Sequence, residues 1–198
     1  MTASKELLGA AALVLTFVAF YPYVRSILRD ETRPHVFSWM IWGAGTFVVA
    51  LAQFSGGAGV GAWPVAVSGI ITVLIAALAL FKAADARFTR SDWMFLILAM
   101  SALPLWYYTD SPLSAVIVLT AVDLLGFGPS ISKVYKDPYG ENALFFVLGA
   151  LRNGLVIGAL EHYSWTTALF PAAVGVACLL FAGLILLRRM VLARSVAP

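Results

Sequence analysis

The sequence predicts an all-α membrane protein with seven transmembrane helices, in which two parallel three-helix-bundle repeats are joined by a linker helix (3+1+3). Three observations predict it. Hydrophobic residues make up 62% of the 198 residues and charged residues only 12%, at a mean hydropathy of +0.92. So few charges could not cover a soluble domain of this size with a polar shell. Seven apolar stretches of about 18 residues or more match the thickness of a bilayer core. Finally, part of the first half recurs in the second at a constant offset of 107 residues without a gap. Phe20-Tyr21-Pro22 recurs as Phe127-Gly128-Pro129, Asp30 as Asp137, and Trp63-Pro64 as Phe170-Pro171. An odd linker helix returns the second copy to the membrane in the orientation of the first. A pore or pocket is then expected where the two bundles meet.

The expected helices cover residues 7–28, 36–54, 62–81, 92–109, 112–135, 143–160 and 165–187. They divide into a first bundle (1–82), a linker helix (83–111), a second bundle (112–190) and a cytoplasmic tail (191–198). The first helix is a membrane span, although Ala10-Ala11-Ala12 resembles a signal-peptide cleavage site. Its apolar run is long and it is the repeat partner of the fifth helix. Pro22 and its counterpart Pro129 each remove a backbone hydrogen bond and crowd the preceding turn, which makes them hinge candidates. The second helix begins in the segment 30–35, with Thr32 or Arg33 near the cap and Pro34 in the first turn. The stretch Gly56-Gly57-Ala58-Gly59-Val60-Gly61 is expected to be a flexible outer loop. It lacks the following Lys-Ser or Lys-Thr of a phosphate-binding loop. Pro64 and Pro171 suit first-turn positions of the third and seventh helices. Trp93, Trp106, Tyr107, Tyr108, Tyr163 and Trp165 lie near helix ends as interfacial anchors. The sixth helix carries Ala150, Gly154 and Gly158 at four-residue spacing, which lets another helix approach.

The net charge of +3 is explained by where the cations stand. Arg25, Arg29 and Arg33 lie between the first two helices, Lys82, Arg87 and Arg90 between the third and fourth, and Lys133 and Lys136 between the fifth and sixth. Arg188, Arg189 and Arg194 follow the seventh. The alternate connections, 55–61, 110–111 and 161–164, contain no Lys or Arg. The positive-inside rule puts the N-terminus outside and the C-terminus in the cytoplasm, in the plasma (inner) membrane. These cations serve topology and lipid headgroups, so the bilayer is the expected partner and nucleic acid is not. Cys178 is the only cysteine, and His35 and His162 stand far apart. No disulfide, metal or cofactor is expected. Residues 165–187 contain no lysine for a retinal Schiff base, and no His-Glu-x-x-His occurs. Nothing points to an enzyme.

Two charges fall inside the apolar stretches. Asp123 lies about eleven residues into the fifth helix and Arg152 about nine into the sixth, both near the midplane at about 1.5 Å per residue. An unpaired charge there costs at least about 2.5 kcal/mol, so the two are expected to face inward and pair. Asn153 adds a polar group beside Arg152. Their counterparts in the first half are Thr16 and Gly45. Ser38, Trp42 and Gly45 share one face of the second helix, and the offset places Phe145, Gly149 and Arg152 on the equivalent face of the sixth. The expected pocket sets Trp42 opposite Arg152, with Trp42 stacking on a planar ligand and Ser38 donating a hydrogen bond. A buried ion pair that only fixes the two helices remains the alternative.

With these residues placed, nearly the whole chain resembles the SWEET and PQ-loop superfamily of seven-helix membrane proteins, as a divergent member. The resemblance rests on the 3+1+3 plan, the outside N-terminus, and the prolines of the first and fifth helices followed by basic loops. It also rests on Phe37-Ser38-Trp39-Met40-Ile41-Trp42, which is similar to the Phe-Ser-x-Met-x-Trp segment of sugar-transporting members. Pro171-Ala172-Ala173-Val174-Gly175 is similar to the start of their seventh helix. The resemblance implies a central pocket including Ser38 and Trp42, and rocking about Pro22 and Pro129. Pro22-Tyr23 and Pro129-Ser130 stand where the family has Pro-Gln, and Ala172 stands where it has an asparagine that reads sugar hydroxyls. The expected function is a SWEET-like transporter of a small polar molecule, working by alternating access around a midplane pocket. Its expected substrate-binding residues are Ser38, Trp42, Asp123, Arg152 and Asn153. The alternative is a membrane receptor or accessory protein that binds a ligand or partner without transporting it. The plan leaves room for a homo-oligomer.

Overall fold

A computed structural model of the chain describes residues 2–30, 36–82, 90–127, 131, 134–135, 138–140 and 142–196. These residues form seven long α-helices: α1 (Thr2–Leu28), α2 (Val36–Ser55), α3 (Trp63–Phe81), α4 (Arg90–Thr109), α5 (Pro112–Leu125), α6 (Ala143–Ala159) and α7 (Trp165–Val196). Single 3-10 turns occur at Gly59–Ala62 and Pro138–Gly140, and no strand occurs among the described residues. Three segments are long and apolar enough to cross a membrane by length and composition: Ala3–Leu28, Gly59–Phe81 and Trp165–Ala193. Trp39–Ser55, Trp93–Thr109, Pro112–Leu125 and Ala143–Ala159 are shorter apolar helices. The chain therefore has the helices of an integral membrane protein.

The helix ends follow local chemistry. Pro64 sits in the first turn of α3, as expected, and Pro112 opens α5 after an extended Ser111. Asn142 caps α6, where its Oδ1 accepts from the N–H groups of Leu144 at 3.0 Å and Phe145 at 3.4 Å. Asn142→Ala should remove about 1 kcal/mol of stability, read as an earlier transition when the protein is unfolded with SDS in mixed micelles. Asp30 ends α1 with φ of 60°, the left-handed conformation that short polar side chains tolerate. Three expectations are corrected. The helix expected over 112–135 is α5, ending at Leu125, because Gly126, Gly128 and Pro129 are poor helix formers. The seventh helix runs on to Val196, past its basic cluster. Pro171 lies inside α7 and is buried there, not in its first turn.

The packing has a repeated order. In the first half α3 lies between α1 and α2, and in the second α7 lies between α5 and α6. The halves meet where α1 packs on α6 and α2 packs on α5, while α4 rests against α5 and the edge of α2. One apolar core takes residues from all seven helices, including Ala12, Val49, Ala66, Ala102, Val116, Val156 and Phe170. Its many alanines let the helices approach closely. Large apolar side chains such as Leu74, Ile97 and Leu180 are exposed around the outside, a surface suited to lipid. Trp93, Tyr107, Tyr108, Tyr163 and Trp165 are exposed at helix ends, whereas Trp106 packs against the core.

Candidate functional site

The helix crossings set the interior polar residues. Arg152 on α6 is 8% exposed and reaches into the first half. Its Nε donates to Thr16 Oγ1 of α1 at 2.9 Å, and its Nη2 donates to the Pro64 carbonyl of α3 at 2.7 Å. Thr16 in turn donates to the Ala12 carbonyl. One guanidinium thus joins three helices across the boundary between the halves.

This corrects the expected Asp123–Arg152 pair. Among the described residues Asp123 makes no hydrogen bond and no ion pair, and it is half-buried. The two charges are not in contact, although the Cys178 thiol on α7 lies within electrostatic reach of both. Arg152 turns toward Thr16 because α6 packs on α1 rather than on α5. The position it meets is the repeat counterpart of Asp123, so the arginine pairs with the other copy of the position predicted for it.

Trp42 is also displaced from the expected pocket. It stands against Gly126 at the end of α5, where an added Cβ would lie 2.9 Å from its indole Nε1. Trp42 meets Trp39 edge-on at 5.9 Å, and Trp39 stacks on Tyr23 at 4.8 Å. The expected placement of Trp42 opposite Arg152 is therefore not made, because α2 crosses α5 and α1 crosses α6. The side chain of Ser38 and all of Pro129 lie outside the described residues, as do Thr32, Arg33, Pro34 and His35. Pro22 is exposed within α1, which continues through it to Leu28. Asn153 is buried; its Nδ2 donates to the Gly149 carbonyl at 2.9 Å while its Oδ1 has no partner. Its Cβ lies against Gly175 of α7.

The small-residue stripe of α6 divides in two. Gly158 packs against Leu8 of α1, whereas nothing approaches an added Cβ at Gly154. The expected flexible outer loop is instead tied down. Ala58, Gly61 and Ala62 are buried, Glu161 N–H donates to the Ala58 carbonyl at 3.1 Å, and Val60 N–H donates to Glu161 Oε1 at 3.1 Å. Two more bonds join the halves at this end. Lys5 Nζ donates to the Leu160 carbonyl at 2.6 Å, and Gln53 Nε2 donates to the Thr167 carbonyl at 2.7 Å. At the opposite end Lys82 holds the Leu28 carbonyl at 3.1 Å and the Asp30 carboxylate at 2.9 Å. Arg188 holds the Tyr135 carbonyl at 2.9 Å and Arg189 the Pro138 carbonyl at 3.0 Å. Tyr135 is the repeat counterpart of Leu28, so a cation after the third helix of each half grips the end of that half's first helix.

Sequence reasoning passed over Thr120 and Gln53. Both are buried, and Thr120 Oγ1 and Gln53 Oε1 lack partners. Thr120 lies three residues before Asp123 and so on the same helical face, which is the signal that could have found it. An open apolar groove of about 510 Å³ lies elsewhere, lined by residues of α5 and α7 such as Leu124, Leu169, Ala172, Val176 and Leu180. It contains none of the interior polar groups. Comparison with family models, curated proteins and solved structures finds no match to this chain.

Proposed function

We propose that the chain is a transporter of small polar molecules, built as two three-helix bundles joined by α4 and working by alternating access between them. The observation that carries this reading is the matched order of packing, α1–α3–α2 and α5–α7–α6, with the halves joined through α1 on α6 and α2 on α5. Two equivalent bundles that meet at two equivalent seams can rock about the space between them. The like-placed grips of Lys82 on Leu28 and Arg188 on Tyr135 support the same plan. So does the resemblance to the SWEET and PQ-loop superfamily, with a seven-span topology, N-terminus outside and C-terminus in the cytoplasm.

The bonds between the halves suggest which state is described. Lys5, Gln53 and Glu161 join them at the end whose connections carry no Lys or Arg, the outer end in this topology. A closed outer end and an Arg152 pivot near the midplane correspond to an inward-facing state. Substrate would meet the interior polar groups, Asp123, Asn153 and Thr120, with Ser38 and Trp42 toward the cytoplasmic side. Lipid would cover the apolar exterior.

The test is a thermal-shift panel of sugars, amino acids, nucleosides, vitamins and organic acids on the purified protein, followed by flux into proteoliposomes. A substrate at 100 times its Kd should stabilise the protein by about 2.7 kcal/mol, and Trp42→Ala should weaken that stabilisation. Saturable flux of the same compound establishes transport. Binding without flux would instead establish a receptor or accessory protein, and neither would reject both readings.

A further inference from the structure

We propose that Asp123 receives the cationic group, ammonium or guanidinium, of a small substrate in the opening beside Gly45, the repeat counterpart of the seat occupied by Arg152. This rests on the transporter reading and gives it a substrate class.

The seat of Arg152 has three parts: the Thr16 hydroxyl on α1, the Pro64 carbonyl on α3, and the guanidinium that arrives from α6. The offset of 107 residues carries these onto Asp123 of α5, Pro171 of α7 and Gly45 of α2. The seam of α2 with α5 keeps the matching register. Trp42 faces Gly126, one turn from the Gly45–Asp123 level, and an added Cβ at Gly45 would meet only Leu119 Cδ2, at 3.3 Å. The second seat therefore retains an acceptor in the place of Thr16 and strengthens it to a carboxylate. It also replaces the protein's own cation with a residue that has no side chain.

Three further observations agree. Asp123 has no hydrogen-bond or ion-pair partner among the described residues, and it is half-buried rather than sealed. Thr120, on the same face of α5, is 5% exposed and its Oγ1 has no partner. Cys178 places α7 beside Asp123, as α3 lies beside Thr16. A carboxylate at this depth is costly unless a cation meets it, and charge-assisted hydrogen bonds to a guanidinium or ammonium are the strong ones. The first seat demonstrates that the fold accommodates a guanidinium at this position.

The experiment compares arginine, agmatine and putrescine with citrulline, glutamate and glucose, by thermal shift on the full chain and by flux into proteoliposomes. The cations should raise Tm saturably, and the neutral and anionic compounds should not. Asp123→Asn keeps the shape of the side chain and should weaken cation binding at least about tenfold. Gly45→Arg should supply the missing cation from the protein itself, leaving the protein folded but unresponsive to added cations. Thr120→Ala, a milder change, should weaken binding in the same direction. Cation binding that is unchanged in both Asp123→Asn and Gly45→Arg would overturn the inference, as would a folded wild-type protein that binds no cation. Saturable flux of a neutral or anionic compound, insensitive to Asp123→Asn, would overturn it while leaving the transporter reading intact.

Discussion

Gly43→Ala should destabilise the protein by about 2–3 kcal/mol, the cost of overpacking a tight contact. The reason is the closeness of α2 and α3. A Cβ at Gly43 would lie 2.8 Å from the backbone nitrogen of Val73, 2.7 Å from its Cγ2 and 3.1 Å from the carbonyl carbon of Thr72. From the other side, a Cβ at Gly69 would lie 2.9 Å from the backbone nitrogen of Phe47. Backbone cannot rotate aside as a side chain can, so the whole helix pair must separate. Small residues at such crossings carry van der Waals packing that lipid cannot replace. Gly154 is the control: with no atom within 4 Å of an added Cβ, Gly154→Ala should change stability by less than about 0.5 kcal/mol. SDS unfolding of the three variants in mixed micelles checks both values. Equal stability of Gly43→Ala and Gly154→Ala would mean that α2 and α3 are not packed this closely.

Arg152→Ala should cost about 3 kcal/mol. The guanidinium makes two charge-assisted hydrogen bonds, each worth roughly 1.5–3 kcal/mol, and truncation also leaves a cavity in a buried region. Relief of an unneutralised charge offsets part of the loss. Arg152→Lys separates charge from geometry. A single ammonium cannot reproduce the fork that spans Thr16 and Pro64, so it should lose about 2 kcal/mol although the charge is kept. Thr16→Val removes one acceptor and should cost about 1 kcal/mol. Paired unfolding curves for Arg152→Ala, Thr16→Val and their double variant give the coupling between the two residues. Additive losses would show that the bond to Thr16 contributes nothing to stability.

The helix positions were legible because apolar runs and their Pro, Gly and Asn boundaries act over a few residues. The expected segments 36–54 and 143–160 coincide with α2 and α6 to within one residue at each end. The errors fall where a local signal was weak or outweighed. Glycines 56 to 61 suggested flexibility, yet Glu161, about a hundred residues away in sequence, holds that turn. Asp123 and Arg152 were found by their rarity in an apolar chain, and so was Asn153. Thr120 and Gln53 were not, because an uncharged polar residue in a membrane helix usually satisfies itself on its own backbone, as Thr72 does on the Ser68 carbonyl.

The sequence alone determined the apolar helical character of the chain, the extent of most helices and the depth of its two interior charges. Each of these depends on composition and on residues close in the chain. Only the tertiary structure decided which groups those charges meet. Arg152 and Thr16 are 136 positions apart, and their contact depends on α6 crossing α1 while α5 crosses α2. Opposite charges attract at any depth, but the choice of partner belongs to helix packing, which leaves a guanidinium only a few ångströms of reach. That packing gave Arg152 a hydroxyl and a carbonyl, and left Asp123 facing glycine.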